Sequence, residues 1–198
     1  MTDLSTPLSW DLPSMPERSP GAAAAAKAMI SSKEKGSRDI FMWPTPPYAS
    51  YPAPSEQTET MPCQIVAGAD NRQVSARLTF FVPDTAVAHV QMPPARTTLP
   101  LRFDQFKSLT LTTPLLPLPL PLTDPHIDLL SQRQSSPYKV LLATGGHFEG
   151  MTIGHVEAEI GLFLFPPCGS DGSVKRMFVP KSAFTRFEVG QKIGEVLI

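Results

Sequence analysis

The chain has 198 residues, enough for one medium-sized domain or two small ones, and 41% of them are hydrophobic, which allows a core to form. A formal net charge of −1 provides no global field that would attract nucleic acid or a membrane surface. The two cysteines, Cys63 and Cys168, lie far apart and outside any CxxC pair, which argues against a disulfide framework or a structural metal site. We expect both to be reduced thiols.

Residues 1–60 are predicted to form a disordered, proline-rich leader, because each proline removes a backbone donor and restricts the residue before it. The alanine-rich stretch Ala22 to Lys35 favours one short helix within it. The N-terminus lacks a basic region followed by an apolar one, so a signal peptide is not predicted. The run GAAAAAKAMI is too short to span a bilayer. These features predict a cytoplasmic protein without membrane insertion.

The stretch WPTPPYASYPAP interleaves aromatic residues with prolines. Aromatic side chains on a polyproline-like backbone usually lie on a surface, either of their own domain or of a partner. We therefore predict Trp43, Tyr48 and Tyr51 as partner-binding residues.

Two β segments follow, separated by a connector. Residues 61–113 and 138–198 alternate apolar and polar residues in short runs broken by turn signals, which is typical of antiparallel strands. Residues 114–137 form a Leu-Pro connector, which either packs its leucines on a barrel or partner or acts as a stiff spacer. If it contacts a partner, the residues involved are Leu116, Leu118 and Leu120.

The two β segments resemble each other, which indicates a degenerate internal repeat. A Pro-Pro pair is followed in each by a loop and a matching strand pattern, and this alignment pairs Phe106 with Phe184 and Leu109 with Phe187. The strand GLFLFP is apolar throughout and is predicted to be central, and glycines in FEGMTIGHVEAE favour a bent strand. Five short strands with a bent second strand resemble SH3-like and Sm-like barrels. The sequence thus predicts a mainly β protein with two tandem small barrels of this type behind the leader.

Near the C-terminus, apolar positions alternate with charged ones and are expected to form one buried face. This face contains Met177, Val179, Phe184, Phe187 and Val189.

The basic residues of this region are the candidate ligand-binding residues. Arg176, Lys181 and Arg186, with Lys175 and Lys192 beside them, could bind phosphate groups or form an ordinary solvated strand face. His147 and His155, with Glu149 or Cys168, could form a metal site but are more simply explained as ordinary strand residues. Neither a phosphate loop nor a nucleophile elbow is present. We therefore predict no catalytic machinery and no cofactor.

Several sequence segments together resemble the N-terminal extension of GspE/PulE-like ATPases of type II secretion and type IV pilus assembly, in a β-proteobacterial branch. They are WPTPPYASYPAP, PPARTTLPLRFDQFKSLTL, GLFLFPP and RMFVPKSAFTRFEVGQKIGEVLI. The closing residues Lys192–Ile198, KIGEVLI, match the opening of the repeat that begins the ATPase N-domain, so the chain is expected to end where a following domain would start. The Walker A loop and the ATPase core of that family are absent from this sequence.

The resemblance implies a non-catalytic adaptor or regulatory module whose protein partners belong to the ATPase or to the pilus and secretion machinery. Two alternatives remain: a cyclic-di-GMP-binding module, because the complete motif binds this nucleotide in related ATPases, and an Sm-like RNA-binding protein. The near-neutral net charge argues against RNA.

Overall fold

The computed structural model describes residues 40–119 and 134–190, which form a mainly β structure. The described residues belong to one compact unit. Within the described ranges no helix is long and apolar enough to cross a membrane. The strands are β1 (Met42–Trp43), β2 (Ser55–Glu56), β3 (Met61–Ala67), β4 (Arg72–Val82), β5 (Val87–Gln91), β6 (Thr98–Arg102), β7 (Phe106–Leu115), β8 (Ser136–Leu142), β9 (His147–Thr152), β10 (His155–Ala158), β11 (Gly161–Leu164), β12 (Val174–Pro180) and β13 (Phe184–Val189).

The strands form three antiparallel sheets. The largest has eight strands in the order β10-β11-β12-β7-β3-β4-β5-β6, a second has the order β13-β8-β9, and β1 pairs with β2. Short 3-10 turns at Phe103–Gln105 and Lys181–Ala183 precede β7 and β13. The pairings among the described residues do not close either sheet into a barrel, so the confirmed part of the predicted fold class is its β-rich nature.

The two halves of the fold, β3–β7 and β8–β13, repeat the same strand order. In the first half β3 pairs with β4, β4 with β5, β5 with β6, and β7 returns to β3. In the second half β8 pairs with β9, β10 with β11, and β11 with β12, so β9 and β10 together occupy the place of the long β4. The last strand, β13, pairs with β8, as β7 pairs with β3. In each half a 3-10 turn leads into the last strand.

A β-bulge at the same place in both halves supports this correspondence. Ala67 pairs with Phe106 and Val66 with Ser108, which leaves Lys107 as the extra residue. Leu142 pairs with Phe184 and Leu141 with Arg186, which leaves Thr185 as the extra residue.

The register therefore confirms the predicted repeat alignment. Phe106 and Phe184 each end a 3-10 turn, with φ of −138° and −133°. Leu109 lies opposite Ile65, as Phe187 lies opposite Val140.

The halves share strands β11 and β12, which are buried on both faces. Phe163 and Phe178 face the core of the first half, where the Phe178 ring lies 5.1 Å from those of Phe81 and Phe103. Leu162 and Val179, on the opposite face, belong to the core of the second half. This double burial explains the uniformly apolar sequence of β11, which was predicted to be central but lies second from the β10 edge of the large sheet.

The second-half core also confirms the predicted buried face near the C-terminus. Phe184 is 7% exposed, and Phe187 and Val189 pack beside it as partly buried residues. The predicted corner of the bent strand lies between β9 and β10. There the buried Thr152 hydroxyl accepts from the Phe165 N–H at 2.9 Å and donates to the Gly154 carbonyl.

Residues 40–57, here called the strap, contact both halves, and their regular structure contradicts part of the predicted leader. Residues 40–60 were assigned to that leader, but they contain β1 and β2, and Trp43 is fully buried. Gln57 fastens the strap, because its side chain accepts from Trp43 Nε1 at 3.3 Å and donates to the Thr79 carbonyl at 3.1 Å. Thr79 is the extra residue of a bulge in β4, and Gln57 uses the carbonyl that this bulge leaves available. The rest of the leader, with its predicted helix, lies outside the described residues.

Candidate functional site

The three basic residues predicted as a ligand site have different neighbours. Arg176 lies on the core face of β12, is 8% exposed and stacks over the Trp43 ring at 6.0 Å. Lys181 and Arg186 are exposed and pair with Glu157 at 3.4 Å and Glu188 at 2.9 Å. The structure therefore does not bring these residues together around one ligand.

The basic cluster was interpreted as a solvated strand face, and this interpretation is wrong for Arg176, which is buried. None of the carboxylates in the described ranges pairs with its guanidinium; Nη2 reaches only Met61 Sδ at 4.0 Å, and Nε has no hydrogen-bond partner. Burial lowers the pKa of Arg176 from its usual value, because desolvation disfavours the charged form. Alternation on β12 placed Arg176 beside Val174 and Phe178, but the pattern could not show that Trp43 covers it.

The predicted partner-binding residues divide into two groups. Trp43 and Tyr51 are buried, and the Tyr51 hydroxyl donates to the Gly172 carbonyl at 2.7 Å, so these two aromatics contact their own domain. Tyr48, Leu116 and Leu118 are exposed by 37%, 61% and 46%. Leu120 lies outside the described residues.

The predicted metal residues do not assemble. His147 lies 3.2 Å from Glu149, whereas the His155 ring contacts Phe187 at 5.6 Å and Cys168 contacts Ser173. No cluster of three or more metal-ligating side chains occurs in residues 40–119 and 134–190. Both cysteines are free thiols, and burial raises the pKa of Cys63 to about 12.

A cleft of about 440 Å³ between the two halves is the candidate binding site. One wall is the face of the large sheet that points away from the first-half core. The strand register shows that the residues of this wall share one face. Thr110 of β7 lies opposite Gln64 of β3 and Met177 of β12, and Val66 of β3 lies opposite Ser108 of β7 and Gln73 of β4. The cleft residues on this wall are Gln64, Val66, Gln73, Ser108, Thr110 and Met177.

The opposite wall comes from β8 and β9 of the small sheet. It contains Tyr138 and three consecutive residues, His147, Phe148 and Glu149. Consecutive strand residues point to opposite faces, so the cleft borders the edge of β9 rather than one face. That edge has no strand partner among the described residues, because β9 pairs only with β8.

Tyr138 is the most buried aromatic residue of the cleft. Its ring lies over Gly150, the residue opposite it, where an added Cβ would come within 3.1 Å of the ring. The residue is 7% exposed, and within the described part of the chain its hydroxyl contacts only Met177 Sδ, a weak acceptor, at 3.9 Å. Burial raises the pKa of Tyr138 above its usual value.

The cleft is polar and lacks strong positive charge. Gln64 donates to Gln73 at 2.9 Å, and Glu149 is the only carboxylate among the lining residues. No lysine or arginine from the described part of the chain lines the cleft. A phosphate-bearing ligand would meet the Glu149 carboxylate with no lysine or arginine in the lining to compensate it, whereas uncharged polar ligands would find both donors and acceptors.

Sequence reasoning missed this cleft. The alternation of β3 and β7 indicates that Gln64 and Thr110 lie on the face away from the core. An outward polar face normally meets water, and no local pattern indicates that β8 and β9 lie opposite it. The useful signal was Gly150, because a strand glycine can mark a close approach by another group.

Comparisons with known proteins returned no match: no family model, no curated protein and no solved structure resembles this chain at a significant level.

Proposed function

We propose that this chain is a non-catalytic adaptor or regulatory module that binds a protein partner of a secretion or pilus-assembly ATPase system. The observation that carries the proposal is the display of Leu116 and Leu118 at the start of the Leu-Pro connector. The Leu118 N–H donates to the Ser50 carbonyl at 2.9 Å, which holds the segment against the strap. The two side chains are 61% and 46% exposed. An anchored, extended segment with exposed leucines is well suited to insertion into an apolar groove.

The architecture assigned by this proposal is two small units of SH3-like or Sm-like type. Its support is the five-strand order common to both halves, with a 3-10 turn before each last strand. Such units serve many functions, so the proposed partner class depends on the resemblance to the ATPase N-terminal extension.

Cyclic-di-GMP binding is the less favoured alternative, because Arg176, Lys181 and Arg186 have separate partners.

The test is direct binding between the purified full chain and the purified secretion or pilus-assembly ATPase from the same organism. Biolayer interferometry should detect a complex, and the double substitution Leu116→Ser, Leu118→Ser should weaken it at least tenfold. Full burial of one leucine contributes about 1.5–3 kcal/mol, so two half-exposed leucines supply about 2 kcal/mol. Leu99→Ser is the matched control, because Leu99 is 45% exposed but lies on β6. Absence of binding, or equal loss in both variants, would contradict the proposal.

A further inference from the structure

The cleft between the halves is large enough for a small ligand. Its volume of about 440 Å³ lies within the range of roughly 300–1,000 Å³ typical of small-molecule sites. The exposed leucines of the connector do not line the cleft, so binding of a ligand in the cleft can be tested separately from binding of a protein partner.

The hydrogen-bonding groups of the cleft suit a ligand rich in hydroxyl groups. Gln64, Gln73, Ser108 and Thr110 can each donate and accept, and Glu149 adds an acceptor. Sugar hydroxyls also donate and accept, so they can pair with this mixed set in several orientations.

The cleft also contains apolar surface beside its polar groups. Val66, Phe148 and Met177 line it. A carbohydrate ring has an apolar C–H surface as well as hydroxyl groups at its rim, and this combination matches the two kinds of lining residue.

A second observation concerns the hydrogen bonding of Tyr138, the most buried aromatic residue of the lining. Tyr138 is 7% exposed, and among residues 40–119 and 134–190 its hydroxyl contacts only a thioether sulfur, at 3.9 Å. Buried hydroxyl groups nearly always have a strong hydrogen-bond partner. A ligand oxygen in the cleft would provide one.

We propose that this cleft binds an uncharged carbohydrate, a mono- or disaccharide, through the Tyr138 hydroxyl, Thr110 and the Gln64–Gln73 pair. The lack of a lining lysine or arginine, together with Glu149, disfavours phosphorylated sugars and nucleotides.

The experiment is saturation-transfer NMR on the full chain with glucose, galactose, mannose, N-acetylglucosamine, maltose and cellobiose at millimolar concentration. At least one sugar should show transfer, and titration then gives its affinity. Tyr138→Phe and Thr110→Val should each weaken binding about threefold to tenfold, the usual effect of one lost hydrogen bond. Thr113→Val is the control, because Thr113 lies on the same strand, is exposed and is outside the cleft.

Thermal melts of the free variants separate a binding role from a structural one. Tyr138→Phe should melt no lower than the unsubstituted chain, because its hydroxyl has only a weak acceptor. Adenosine and cyclic-di-GMP enter the same assay as competing ligands. The proposal is overturned if no sugar binds, if only cyclic-di-GMP or adenosine binds, or if both cleft variants bind sugar as tightly as Thr113→Val does.

Discussion

Replacement of Trp43 by alanine tests whether the strap is an integral part of the fold. Trp43 is fully buried, and its ring centroid lies 5.1 Å from that of Phe81 and 6.0 Å from that of Phe163. Its Nε1 donates to Gln57, the residue that also reaches the bulge carbonyl of Thr79. The substitution removes all of these contacts together and leaves a cavity between the strap and the sheet.

The expected loss of stability is large. Truncation of a buried tryptophan to alanine costs about 3–5 kcal/mol, and the lost hydrogen bond adds about 1 kcal/mol. Small domains have a total free energy of unfolding of about 5–15 kcal/mol. For a chain of this size, about 4–6 kcal/mol corresponds to a decrease in Tm of roughly 10–20 °C.

Urea unfolding followed by far-UV circular dichroism measures this loss. Met42→Ala is the matched control, because Met42 is the other residue of β1 and is 49% exposed. It should change the free energy of unfolding by less than about 0.5 kcal/mol. A loss below about 1 kcal/mol for Trp43→Ala, or an equal loss for Met42→Ala, would show that the strap is dispensable for stability.

Three further predictions concern the core and its buried ionisable groups. In urea melts Phe184→Ala should cost about 3–5 kcal/mol, because Phe184 is 7% exposed, whereas Lys181→Ala, which breaks an exposed ion pair, should cost less than about 1 kcal/mol; equal losses would invert the face assignment. Because the folded-state pKa of Cys63 is raised from 9.0 to about 12, its contribution to stability is complete below pH 9 and is lost as the pH rises towards 12. Cys63→Ala should therefore flatten the decline of unfolding free energy with pH across this window, and an unchanged slope would count against the shift. Arg176→Met should leave stability unchanged or raise it by about 1 kcal/mol in urea melts, because this buried guanidinium has no carboxylate partner in the described ranges, and a loss above about 2 kcal/mol would mean that its stacking on Trp43 dominates.

The repeat alignment and the burial of β11 on both faces could be predicted because they depend on local patterns. Phe106 and Phe184 occupy matching places in their strand patterns, and the register of both halves agrees with that alignment. The uniformly apolar sequence of β11 favoured a strand covered on both faces, and the structure shows this burial.

Other features depend on contacts between residues far apart in the chain. Proline spacing suggested that the segment around Trp43 lacked fixed structure, but tertiary packing and the Gln57 hydrogen bonds hold it on the sheet. Alternation places Arg176 on the same strand face as Val174 and Phe178, but only the position of Trp43 shows how its guanidinium is covered. The cleft joins Thr110 to Tyr138 across two sheets, and local alternation carries no information about which sheets face each other.

The double burial of β11 and β12 has a consequence for cooperativity. A fragment containing only β3–β7 would expose to water the aromatic surface that normally packs on Phe163 and Phe178. A fragment containing only β8–β13 would expose those two rings themselves, along with the β12 edge that pairs with β7. Neither fragment should persist as a monomer in solution, and the intact unit should melt in a single transition despite its duplicated design. The two halves should therefore share a single free energy of unfolding, although their strands pair in the same order.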